Sequence, residues 1–231
     1  RALRLGLRMA GGLSEAGVHR IVASRPFGSV DDLARRAALN RRDLECLAAA
    51  GALASLAGHR REAHWRAAGV EHASDMLCNA SVRETAPTLA APGEGEDIVA
   101  DYASLGLTLG RHPLALLRDR LGRLGMLTAG QLNSLPHGHI ARAAGLVTCR
   151  QRPDTASGVI FVTLEDETGC ANVIVWRDLV ERQRRELLGA RLLGVQGVIE
   201  REGEVVHLVA RRLFGYDKLL GCLTVHSRDF H

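Results

Sequence analysis

Residues Gly158 to Trp176 constrain this chain more than any other stretch, because they alternate cleanly and turn back on themselves. Ile160, Val162 and Leu164 fall on one side of a strand, and Val159, Phe161, Thr163 and Glu165 on the other. Asp166, Glu167, Thr168 and Gly169 supply a turn, with Gly169 able to take a positive φ. The return strand, Ala171 to Trp176, sends Val173 and Val175 one way and Asn172, Ile174 and Trp176 the other. Such a hairpin has one aliphatic face for a core. Its other face mixes aromatic and polar groups, and is a working surface.

The rest of the chain must supply what closes that core. With 231 residues, 46% of them hydrophobic, there is material for one large or two small folded domains. No apolar run reaches the ~20 residues that span a bilayer, so no membrane is expected as a partner. The sequence starts Arg1-Ala2-Leu3-Arg4, without Met or a signal-peptide pattern, and reads as a piece of a longer protein. Its formal charge is +4, and Lys218 is the only lysine among 30 basic residues. Arginine suits bidentate phosphate contacts and stacking on bases, although an Ala- and Arg-rich chain is also what a GC-rich genome yields.

Cys46, Cys78, Cys149, Cys170 and Cys222 are scattered, with no C-x-x-C pair. Zinc and disulfide frameworks are therefore not expected, and a reducing cytoplasm is. His137 and His139 form an H-x-H, but no carboxylate or Cys accompanies them. No metal site and no catalytic residue is expected in this chain.

Residues 1–70 read as short helices. One opens at Ser14, carries Val18, Ile21 and Val22 on its apolar side, and is stopped by Pro26. Ser29 with Asp32, and Asn40 with Asp43, are capping-box spacings that start two more, and a last helix carries Arg60 to Arg66. Gly11, Gly12 and Ser14 form a glycine hairpin that leads into a helix N-terminus, and Arg20 and Arg25 follow. Such a hairpin aims backbone N–H groups at an anion. This is the layout of a helix-hairpin-helix element gripping a DNA backbone, with Ser14 where the usual second glycine stands. A plain helical bundle with a glycine turn is the other reading.

Residues 71–100 are expected to be a linker, Pro-, Gly- and acid-rich between Ala86 and Asp97, and 101–138 a helical connector. In the connector, Pro113 sits at N1 of one helix and Thr128 caps another. From 139 to 231 the pattern is β: a strand at Ile140–Gln151, the opening hairpin, a helix at Arg177–Ala190, then strands at Arg191–Ile199 and Glu204–Leu213. Three strands, a helix and two strands is the order of an OB-fold, a five-stranded barrel whose strands 2 and 3 bind oligonucleotides. The expected class is α+β and multidomain, with a helical helix-hairpin-helix domain followed by an OB barrel.

Four phrases carry a resemblance: Tyr102 to Pro113, Gly145 to Pro153, Val162 to Gly169, and Ser227 to His231. They resemble the C-terminal third of bacterial error-prone C-family DNA polymerases of the ImuC type, paralogues of the replicative polymerase III α subunit. The resemblance covers the whole chain. It implies a parent that extends DNA past lesions during damage-induced mutagenesis, with ImuA- and ImuB-type partners. It also implies that polymerisation, with its Mg2+ and palm aspartates, lies elsewhere in the parent, so that this part has no cofactor and is catalytically silent. Ser157 departs from the family, which usually has a lysine there. The chain also ends soon after the barrel, so the clamp-loader-binding domain of the replicative paralogue is not expected.

The expected DNA contacts on the barrel are Phe161, Thr163, Asn172 and Trp176, flanked by Arg150, Arg152 and Arg177. The alternative for Phe161 and Trp176 is packing against a neighbouring domain. Single-stranded template on this face and duplex backbone on the hairpin are the expected ligands. The competing reading is a protein-interaction module that docks ImuB or the sliding clamp. For the clamp, Ser74, Asp75, Met76 and Leu77 are the candidate peptide, although the family's leading Gln is missing.

Overall fold

Side-chain caps set where the helices begin, and the capping residues read from the sequence fill those positions. In the computed structural model, which describes residues 5–70, 88–153, 158–223 and a short strand at 228–229, Ser14 caps α1 (Glu15–Ser24) by accepting from Gly17 N–H at 3.0 Å. Ser29 caps α2 (Val30–Arg36) and Asn40 caps α3 (Arg41–Ala49), accepting from the Asp32 and Asp43 N–H groups at 3.0 and 2.8 Å. The short α4 (Ala54–Ala57) and α5 (Arg60–Ala68) follow. Ile21, Val30, Leu33, Leu44, Leu47 and Leu53 build the core of this unit. Val22, expected on the apolar side of α1, is 55% exposed, because Ile21 alone of the pair turns toward that core.

The chain divides into two compact units, residues 1–109 and 110–231. That division differs from the expected boundaries at 70, 100 and 138. The helix α6 (Glu94–Leu105) begins inside the expected linker and is tied into the first unit. Arg60 on α5 pairs with both Asp97 and Asp101, and Arg61 with Glu96. Ser104 Oγ donates to Ala49 O at 3.1 Å.

The second unit starts with α7 (Pro113–Arg123), with Pro113 at N1, and α8 (Ala129–Asn133), capped by Thr128. Then come β1 (Ile140–Gln151), β2 (Ile160–Asp166), β3 (Gly169–Val175), α9 (Arg177–Arg182), α10 (Arg184–Gly189), β4 (Leu192–Glu202), β5 (Val205–Gly215) and β6 (Arg228–Asp229). The sheet order is β2-β3-β5-β4-β1-β6, and β2 also pairs with β1, which closes a five-stranded barrel. That is the OB-fold. Its core holds Val162, Leu164, Val173, Val175, Leu193, Val195, Ile199 and Leu208.

The expected helix Arg177–Ala190 is two helices. Gln183, at φ −124° and ψ 38°, breaks it, and its amide pairs both ways with the Leu213 backbone at 3.0 and 2.9 Å. Among the described residues, no helix is long and apolar enough to cross a membrane.

Candidate nucleic-acid interface

The outward face of the hairpin follows from its register. Thr163 pairs with Asn172 and Phe161 with Ile174, while Ile160, Val162 and Leu164 turn into the core. The rows continue across the barrel. Cys149 on β1 pairs with Thr163, and Asn172 pairs with His207 on β5. One row along, Ile174 pairs with Val209. A polar row therefore runs beside an apolar one. Trp176, just beyond β3, is 55% exposed in extended backbone.

The flanking arginines behave differently from one another. Arg152 is exposed. Arg177 is exposed but holds Glu181 at 2.9 Å, an i,i+4 pair on α9. Arg150 does not belong to this face: it is only 7% exposed, and its guanidinium donates to Leu187 O at 2.7 Å and Ala190 O at 2.5 Å. It caps the C-terminal end of α10 from inside the barrel wall. A register shift between Val147 and Cys149 turns it inward.

The acidic turn at the other end of the hairpin is fully engaged. Asp166 is buried; it accepts from Ala129 N–H at 2.8 Å and Thr168 N–H at 2.7 Å, and pairs with Arg118 at 3.2 Å. Arg118 also holds Glu167 through two hydrogen bonds. Burial works against the Glu167 charge, but Arg118 outweighs it and keeps this carboxyl below its ordinary range. These carboxylates fasten the β2–β3 turn to α7 and α8, and they offer no donor set for a cation. Burial lowers the pKa of the neighbouring His112, whose Nδ1 accepts from Leu114 N–H at 3.2 Å.

At the N-terminal hairpin, much of the N–H array is spent internally. Gly11 N–H donates to Ser104 O at 2.9 Å. Ser14 gives both its N–H and its hydroxyl to Asp43, at 3.0 and 2.9 Å. Arg20 donates to Ala37 O and Ala38 O, at 2.7 and 3.2 Å, so it braces the turn before α3. Gly12, at φ +81°, and the exposed Arg25 remain at the surface. His137 Nδ1 accepts from Arg201 N–H at 3.2 Å, and among the described residues no group of three or more His, Cys, Asp or Glu could hold a metal. The candidate clamp residues Ser74, Asp75, Met76 and Leu77, like Ser157, lie outside the described residues.

Comparisons with known proteins follow this division. A helix-hairpin-helix motif model matches residues 1–63, and an OB-fold nucleic acid binding domain model matches residues 141–214. An error-prone DNA polymerase of Alkalilimnicola ehrlichii is 57% identical over all of this chain, which covers 23% of that protein. That of an Azoarcus species is 58% identical over all of the chain and 22% of its own length. That of Methylococcus capsulatus is 53% identical over 99% of the chain. Along its whole length the chain is similar to a segment of these bacterial error-prone DNA polymerases. It spans less than a quarter of the length of the curated relatives it matches.

Arg42 and His207 escaped sequence reasoning. An Arg42 guanidinium nitrogen lies 3.9 Å from where a Cβ on Gly12 would be, so a cation stands beside the hairpin. Only the packing of α3 against the hairpin brings them together. His207, on the polar row of the barrel, becomes visible only through the parallel pairing of β3 with β5.

Proposed function

We propose that this chain is the non-catalytic C-terminal part of an error-prone DNA polymerase acting in the cytoplasm in translesion synthesis and damage-induced mutagenesis. It holds nucleic acid beside a polymerising core contributed by the rest of the parent. Single-stranded template lies on the outer face of β2 and β3, and duplex backbone meets the hairpin at Gly12 with Arg42 and Arg25. The observation that carries this reading is the shared outward face of Phe161, Thr163 and Asn172, with Trp176 exposed at its end. Base stacking on such aromatics is worth ~1–3 kcal/mol per base. Titration of a labelled single strand by fluorescence anisotropy tests it. Phe161→Ala is expected to weaken binding by roughly 5- to 150-fold, the equivalent of that energy. An unchanged affinity would remove the stacking role.

A second reading is supported by Glu200, which pairs with His207 and puts an acidic group at the end of the polar row. Here the barrel docks an ImuB-type partner. Pull-down of ImuB with and without residues 215–231 separates the two, since the DNA reading requires no such capture.

A further inference from the structure

On the opposite wall of the barrel, where β1, β4 and β5 run together, lies a basic surface independent of the β2–β3 face. Arg142 pairs with Gln196, and Gln196 with Arg212, so three long polar side chains stand in one row. Two strand spacings of about 4.8 Å separate the outer two. Two glycines of β4 build this wall. Gly197 sits where a Cβ would meet Val209 O at 2.1 Å, and the register slips beside it, between Gln196 and Gly197. That bulge breaks the alternation of β5, and both Arg211 and Arg212 are exposed as a result. Gly194 sits where a Cβ would meet the Tyr216 ring at 2.4 Å, so the missing side chain lets that ring pack against the strand. Phe214 stacks beside it, with ring centroids 6.2 Å apart and 11° between planes. The Arg212 guanidinium lies 5.1 Å over the Phe214 ring. The cation is therefore preorganised over an aromatic shelf rather than loose in solvent.

Several arginines of this unit are tied down by partners. Arg118, Arg177 and Arg191 hold carboxylates, and Arg150 and Arg201 hold carbonyls. Arg142, Arg211 and Arg212 hold none among the described residues.

We infer that Arg142, Gln196, Arg211 and Arg212 form a second nucleic-acid contact, which takes the phosphodiester backbone of a strand across the β1–β4–β5 wall. The guanidinium forks grip phosphate oxygens, Gln196 donates between them, and no base is read.

The test titrates the 231-residue chain with a labelled single strand and with a labelled duplex, each over a series of salt concentrations. R142A/R212A is compared with wild type and with R184A/R185A, which removes the same charge from α10. Circular dichroism confirms that all three are folded. Each phosphate contact contributes a salt slope of about 0.7 on a single strand and about 0.9 on duplex. R142A/R212A is therefore expected to lower the slope by about 1.4 or about 1.8, on whichever ligand uses the wall. It weakens binding alike across sequences, while R184A/R185A leaves the slope near wild type. Equal losses in the two variants would reduce the effect to net charge and overturn the inference. So would an unchanged slope for R142A/R212A, or a wild-type chain that binds neither ligand at low salt. Phe161→Ala is expected to keep the full slope, which separates this wall from the stacking face.

Discussion

Asp43 receives both the backbone N–H and the hydroxyl of Ser14, at 3.0 and 2.9 Å, and is itself only 1% exposed. The spacing from Asn40 casts Asp43 as the second half of a capping box, reaching back to its own helix. Instead it crosses to the other hairpin. Arg20 on α1 returns the contact by donating to Ala37 O and Ala38 O. The two turns thus hold one another. Asp43→Ala leaves the half-buried Ser14 hydroxyl and N–H without their acceptor, at an expected cost of about 2 kcal/mol. Urea unfolding checks this, and Ser14→Ala in the same background should add much less than it does alone.

Arg118 joins α7 to the β2–β3 turn through Asp166 and Glu167. Arg118→Ala strands a buried carboxylate, and about 3 kcal/mol of stability should be lost at neutral pH. The pH dependence has a definite sign. Glu167 titrates below its ordinary 4.5 when folded, so its contribution is present above that value and fades as pH falls through the folded pKa. The gap between wild type and Arg118→Ala should therefore be widest near neutrality and narrow below about pH 4.5. Unfolding midpoints measured across that range would show the convergence, and a constant gap would contradict it.

Arg150 and Arg152 are two residues apart and were expected to do the same job. Inward positions on β1 are odd-numbered up to Val147, as with Ala141 and Ala143. The register shift after Val147 moves Cys149 outward to meet Thr163 and turns Arg150 inward. Arg150→Ala should cost about 2–3 kcal/mol by leaving the Leu187 and Ala190 carbonyls unpaired. Arg152→Ala should stay within about 0.5 kcal/mol of wild type. Urea midpoints of the two variants decide it.

That pair also marks where sequence reasoning stops. The strand order, the bounds of β1 and the alternation of β2 were legible, because each rests on local period and turn chemistry. Ser14, Ser29, Asn40 and Thr128 were legible as caps for the same reason. A one-residue bulge flips every later side chain, and nothing local in Thr148 announces it. Nor could the sequence place Arg42 beside Gly12, or set Gln196 between Arg142 and Arg212. Those neighbours come from packing and strand pairing across long separations. Structure was expected to resume at Asp97, and only the start of α6 was hidden, where Gly93, Glu94 and Glu96 read as linker but act as cap and first turn.

Gly12 is held by two separate demands, and they can be pulled apart. Its φ of +81° is one that L side chains rarely adopt, and a Cβ there would meet Cys46 Sγ at 3.1 Å. Gly12→Ala should lose about 1–2 kcal/mol from the backbone conformation alone, with the sulfur contact adding to it. In a Cys46→Ala background the contact is gone and only the conformational part remains. The cost of Gly12→Ala should therefore be smaller there than in wild type, but not zero. Equal costs in both backgrounds would mean that the sulfur yields freely and conformation is the whole demand. Because Arg42 stands beside the same turn, Gly12→Ala should also weaken duplex binding in an anisotropy titration and leave single-strand binding at the barrel unchanged.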